Sequence, residues 1–298
     1  MISSEKNLRN SNSSFHYVLA ESLFNMDLKK WCCYLICFAL ATVLVVSCYT
    51  PIDGCLDPES TNYSIAGDRD CEDCCVYPTI KLSVFHQYRD TTLFLEDTLI
   101  NSLGQEYSII KYAYFLSDFK MQTSDGIEYE VQDSIELNVD SGTEITKDDV
   151  IRIRRDGFSY TYGTIIFDGL GEQLSFVVGL SELLNENRFT TAISGHPITT
   201  DPDSLFREVE GDYVFQRVQI AQGEELMDTV IYDVVGQSAL QEVSIPVEYE
   251  SFRGKDKIVI IEARYNIWFD DVDFNTMSKE EIEAQMATKS GSMFRARL

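Results

Sequence analysis

All eight cysteines of this 298-residue chain lie before residue 76. Everything after Cys75 must therefore fold without a covalent staple. A stretch of that length buries a sizeable core unaided. The composition allows it, since 44% of the chain is hydrophobic and 12% aromatic, which excludes a disordered chain. From residue 79 the apolar positions recur with period two. Ile80, Leu82 and Val84 alternate with polar neighbours, as do Ile151 and Ile153, then Val243, Ile245 and Val247. Residues 164–167, 174–178 and 257–261 read as buried strands. Turn pairs punctuate them at Asp125-Gly126, Asp156-Gly157, Asp168-Gly169 and Arg253-Gly254. The pattern predicts an all-β domain over 79–298, a mainly antiparallel β-sandwich or barrel. One helix closes it, because Ser278 and Glu281 form a capping box ahead of Ile282 and Met286. Residues 180–187 read as a short helix or loop.

The N-terminus reads as an address. Lys29 and Lys30 precede an uncharged run over 31–47, which ends Val45-Val46-Ser47-Cys48. A basic region, an apolar region and a small residue before cysteine define an export signal, and this one resembles the bacterial lipobox. The resemblance implies lipidation of Cys48, with 1–47 as the signal region and the protein anchored by its lipid at the cell envelope. The run is at the short limit for a membrane span, and no basic cluster follows it. Residues 1–25 are polar and unlike a signal, so Met26 is read as the true start.

Cys32, Cys33 and Cys37 would leave with the signal. Cys55, Cys71, Cys74 and Cys75 remain in a module over 48–78. Four clustered cysteines in an exported chain read as two disulfides. A vicinal Cys74–Cys75 bond is strained, so Cys55 pairs with one of those two and Cys71 with the other. Cys71-x-x-Cys74 also has zinc spacing, but the second arm lacks it. Asp57, Asp68, Asp70 and Asp73 offer oxygens without the spacing of a calcium loop, and read as turn carboxylates. The segment GCLDPESTNYSIAGDRDCEDCCVYP (54–78) resembles a small cysteine-flanked module of secreted proteins from Bacteroidetes-type bacteria, here read as a stapled spacer.

Within 79–298 the order of several segments is similar to that of the MbnP-like family. They are LSVFHQY (82–88), YSIIKYAYFLSDFKMQTSDGIEY (107–129), LSFVVGLSELLNE (174–186), GHPITTDPDSLF (195–206), DYVFQRV (212–218) and NIWFDDVDF (266–274). The resemblance implies a periplasmic binding domain that takes copper through histidines. In some members a tryptophan is oxidised by a partner dihaem enzyme. His86 and His196 fall where the family places histidine. Val214 and Asp233 stand where it often has two more, and residues 204–207 lack its methionine and tryptophan. Trp268 matches its C-terminal motif instead. The implied copper site here is His86, His196 and Asp233, two nitrogens and one oxygen. The alternative is a structural or protein-interaction lipoprotein with no metal, in which both histidines are hydrogen-bonded residues of the fold.

Charge and motifs narrow the classes further. The net charge of −25 and pI near 4.3 repel phosphate backbones, so no nucleic-acid partner is expected. No G-x-S-x-G, H-E-x-x-H or phosphate-loop motif occurs, and a chain with so few histidines and no free cysteine after the signal is not read as an enzyme.

Overall fold

The computed structural model describes residues 28–46, 49–71, 73–139, 142–186, 195–198, 203 and 205–297. Cys48, Ser47 and Met26 lie outside the described residues. The chain divides into two compact units, Met1–Ile52 and Asp53–Leu298. Among the described residues the first contains the helix α1 (Leu28–Val46), rich in leucine, valine and aromatic residues. Among the described residues no helix is long and apolar enough to cross a membrane.

The second unit opens with the cysteine module. Disulfides join Cys55 to Cys75 and Cys71 to Cys74, one of the two pairings left open by the sequence. Asp57 acts as a turn carboxylate: it accepts the Glu59 amide at 2.9 Å and the Tyr77 hydroxyl at 2.8 Å, and these bonds hold its carboxyl below the usual range. Asp70 likewise accepts the Leu56 amide. Arg253 reaches Glu59 at 3.1 Å, and Asp256 accepts the Thr79 amide at 3.0 Å. The module and the β domain therefore belong to one compact unit.

Two sheets pack around the main core. The smaller contains β1 (Thr79–Tyr88), β4 (Ser159–Thr164), β9 (Lys257–Arg264) and β10 (Phe294–Ala296), in the order β4-β1-β9-β10. Its β1–β9 pair is parallel in a domain that is otherwise antiparallel. The larger sheet is organised on the long β2 (Glu106–Thr123), with β3 (Ile151–Arg154), β5 (Gly169–Val178) and β6 (Asp212–Gln222) hydrogen-bonded to it. Beyond these, β7 (Asp228–Val235) pairs with β6 and β8 (Gln241–Ser251) with β5. Alternation sends Ile80, Leu82 and Val84 of β1 inward to meet Tyr112, Tyr114 and Leu116 of β2. The intervening Ala113 and Phe115 face a second core with Leu180, Leu205 and Tyr213. β2 is thus buried on both faces, which explains its near-continuous apolar run.

Helices α2 (Glu182–Glu186), α3 (Asn266–Phe269) and α4 (Lys279–Lys289) complete the unit. The capping box is present: Glu281 donates its amide to the Ser278 hydroxyl while the Glu281 carboxylate accepts the Ser278 amide. Ile282 and Met286 are its buried pair. One expected strand is shorter than its pattern suggests. Residues 165–168 are irregular, because Asp133 clasps Thr164 through its amide and hydroxyl and ends β4 there. Ile165 and Phe167 are buried from a loop.

Candidate functional site

His86 follows Val84 in the inward alternation of β1 and is 4% exposed. The chain crosses from the large sheet to the small one between β3 and β4, and this crossover turn closes over the ring. Gly157 lets the turn approach so closely, since a β-carbon there would stand 2.0 Å from the Tyr160 hydroxyl. The Gly157 carbonyl lies 2.9 Å from His86 Nε2. A carbonyl can only accept, so Nε2 carries the ring proton. Nδ1 is then an acceptor facing two hydroxyls, Tyr265 at 2.7 Å and Tyr112 at 2.9 Å. Tyr114 extends the network, 3.1 Å from the Tyr265 hydroxyl. Burial pushes the imidazole down to about 4, only partly offset by the Gly157 bond. Burial also raises Tyr112 and Tyr265 well above the usual phenol range, so both keep their protons.

His196 sits against the second core, 8% exposed. Its Nδ1 accepts the Ile198 amide at 3.3 Å, so Nε2 donates to Asp148 at 2.8 Å. Asp233 lies on β7 opposite Arg217 of β6. Its two oxygens take Arg217 Nε and Nη2, both at 2.7 Å, a bidentate pair.

The structure does not bring His86, His196 and Asp233 together as one ligand set. Among the described residues no three His, Cys, Asp or Glu side chains converge to hold a metal ion. Each of the expected ligands also accepts a hydrogen bond within the protein: His86 Nδ1 from a tyrosine hydroxyl, His196 Nδ1 from the Ile198 amide, and the Asp233 carboxylate from the Arg217 guanidinium. Val214, where the family often has histidine, is wholly buried in the second core. Trp268 is wholly buried in the main core among Tyr112, Tyr114 and Tyr265. As placed, His86, His196 and Asp233 do not form a common site for a copper ion.

A different set of side chains is brought together by the fold and was not singled out by the sequence. Lys111, Arg152, Arg154, Arg155 and Arg217 gather where β2, β3 and β6 meet. Register explains it. Ala113 is paired with Arg154 on one edge and Arg217 on the other, and Arg217 with Asp233, so all four side chains project from one face in one row. The available signal was IRIRR (151–155), three arginines within four residues of a strongly acidic chain.

The class these features define is a two-sheet β domain that carries a disulfide module at its N-terminal side and a helix at its C-terminus. The chain belongs to the MbnP family, whose model matches residues 77–286. Among solved structures, MbnP from Methylosinus trichosporium is similar, with 11% sequence identity and a TM-score of 0.38; the match covers 65% of this chain and 78% of that one. No curated protein matches the chain.

Proposed function

We propose that this chain is a lipid-anchored binding domain of the cell envelope whose two histidines hold its own fold and do not ligate copper. The observation that carries this reading is the engagement of every expected ligand atom by a protein donor. Binding a metal at His86 would require displacing a tyrosine hydroxyl from the only unprotonated nitrogen of a buried ring. At Asp233 it would break a bidentate ion pair. The first forfeits a neutral hydrogen bond, about 1 kcal/mol, and the second charge-assisted bonds of about 1.5–3 kcal/mol.

Copper titration tests this directly. Wild type, His196→Ala and His86→Gln are expected to bind Cu(I) and Cu(II) alike, with no equimolar site. Circular dichroism confirms that each variant is folded. An equimolar site in the wild type that weakens in both variants would restore the copper reading.

The anchor rests on the sequence around Cys48. Replacing Cys48 by alanine is expected to abolish labelling by radioactive palmitate and leave an uncleaved precursor. Undiminished labelling of that variant would remove the lipoprotein assignment.

A further inference from the structure

The cations that gather beside β3 line a cleft of about 460 Å³. Its apolar wall is Leu95, Tyr112 and Phe158, and its cationic wall is Lys111, Arg154 and Arg155. We propose that this cleft binds a small organic carboxylate with an apolar body, the carboxylate on Arg155 and the body against Phe158 and Tyr112. The inference goes beyond the function proposed above and stands independently of it, since Arg155 and Phe158 are not among the residues of the copper reading.

Charge placement is the first support. The chain as a whole has 24 basic residues against 49 acidic ones. In the lining of this cleft the balance inverts: Lys111, Arg154 and Arg155 stand against Asp156 and Asp203. Cations gathered in a concave site of a chain with net charge −25 raise the local attraction for an anionic ligand.

The site already displays how it holds a carboxylate. Asp203 is 5% exposed and lies within reach of three cations: Lys111 at 3.0 Å, Arg152 at 3.3 Å and Arg154 at 3.8 Å. Its Oδ2 faces the two arginines as an ion pair, without hydrogen-bond geometry. Arg154 is further committed to Asp156 through Nε and Nη2.

Arg155 differs from its neighbours. Its Nε donates to the Leu93 carbonyl at 3.0 Å, and its guanidinium lies 5.9 Å from the Phe158 ring. Among the described residues no carboxylate comes within ion-pair distance of it. The Leu93 bond holds the fork in place at the lining of the cleft. With Nε committed to Leu93, Nη1 and Nη2 remain to take a carboxylate end-on in a bidentate pair. Phe158 is 63% exposed beside it, a large apolar ring on a turn whose position is set by His86 through Gly157. Apolar surface with a few placed polar groups, in a volume of this size, is the usual make-up of a small-molecule site.

Calorimetric titration of the full chain with 3-phenylpropionate and with its neutral amide tests the assignment. The carboxylate is expected to bind tighter than the amide by about tenfold or more, the worth of one charge-assisted pair. Arg155→Gln is expected to erase that preference, and Phe158→Ala to weaken both ligands together. Arg253→Gln, an exposed arginine paired with Glu59 and Asp168, is expected to change neither. Equal affinity for acid and amide, binding of neither, or a preference that survives Arg155→Gln would each overturn the proposal. Arg155→Lys, which keeps charge but loses the fork, should retain part of the preference.

Discussion

Unfolding of the wild-type domain is expected to become about 3 kcal/mol easier between pH 6.5 and 4 through His86 alone. The imidazole is held down to about 4 in the fold, against 6.5 for the free side chain. In that window the unfolded chain takes up a proton that the folded chain refuses. Stability from this group is therefore complete above about pH 6.5 and is lost as pH falls, with the loss ending near pH 4. At 1.36 kcal/mol per unit the total is of that order. Carboxylates titrate in the same range, so a non-titrating comparison is needed. His86→Gln should be less stable than wild type at pH 7, because Gly157 and the tyrosines lose an ideally placed partner, by about 2–3 kcal/mol. Its stability should then fall less steeply with acid. Urea unfolding at pH 7 and pH 4.5 on both proteins isolates the difference, since the carboxylates they share cancel. Parallel pH profiles would mean that the folded imidazole accepts its proton as readily as the free one, and the buried hydrogen-bonded His86 would then be wrong.

His86 also illustrates what could and could not be read from the sequence. Its inward direction follows by extending the alternation of Ile80, Leu82 and Val84 by one step. Its partners do not follow, since Tyr265 lies 179 residues away and reaches it only because β9 pairs in parallel with β1. Motif order alone placed both histidines and Asp233 as ligands. The bidentate clasp of Asp233 by Arg217 depends on the register of a hairpin, and one residue of slip would send the carboxylate to the other face. The capping box of α4 was legible because its partners are three residues apart. The disulfides were legible as a pair of alternatives, since only the fold of the module decides which of two adjacent cysteines meets Cys55. The cationic row was half legible. The arginines of β3 are close together in the chain, but Lys111 and Arg217 join them only across strands.

Trp268→Ala is expected to cost about 4 kcal/mol, the upper range for removing a large buried side chain. The indole is wholly buried and its ring centroid lies 5.0 Å from Tyr265, 6.0 Å from Tyr112 and 6.1 Å from Tyr114. Tyr112 and Tyr265 bond His86 and Tyr114 bonds Tyr265, so a void at Trp268 also loosens the hydrogen-bond network beside it. For a domain of this size the melting temperature should fall by roughly 10 °C. Trp268→Phe separates packing from polarity. The indole Nε1 meets no acceptor among the described residues, so removing the N–H should relieve a buried unsatisfied donor and offset part of the lost volume. The phenylalanine variant is therefore expected to lose about 1–2 kcal/mol, less than half the alanine cost. Thermal unfolding of the two variants side by side gives the ratio. If phenylalanine proves as damaging as alanine, the N–H has an acceptor, and the role of Trp268 extends beyond filling the core between α3 and the tyrosines of β2.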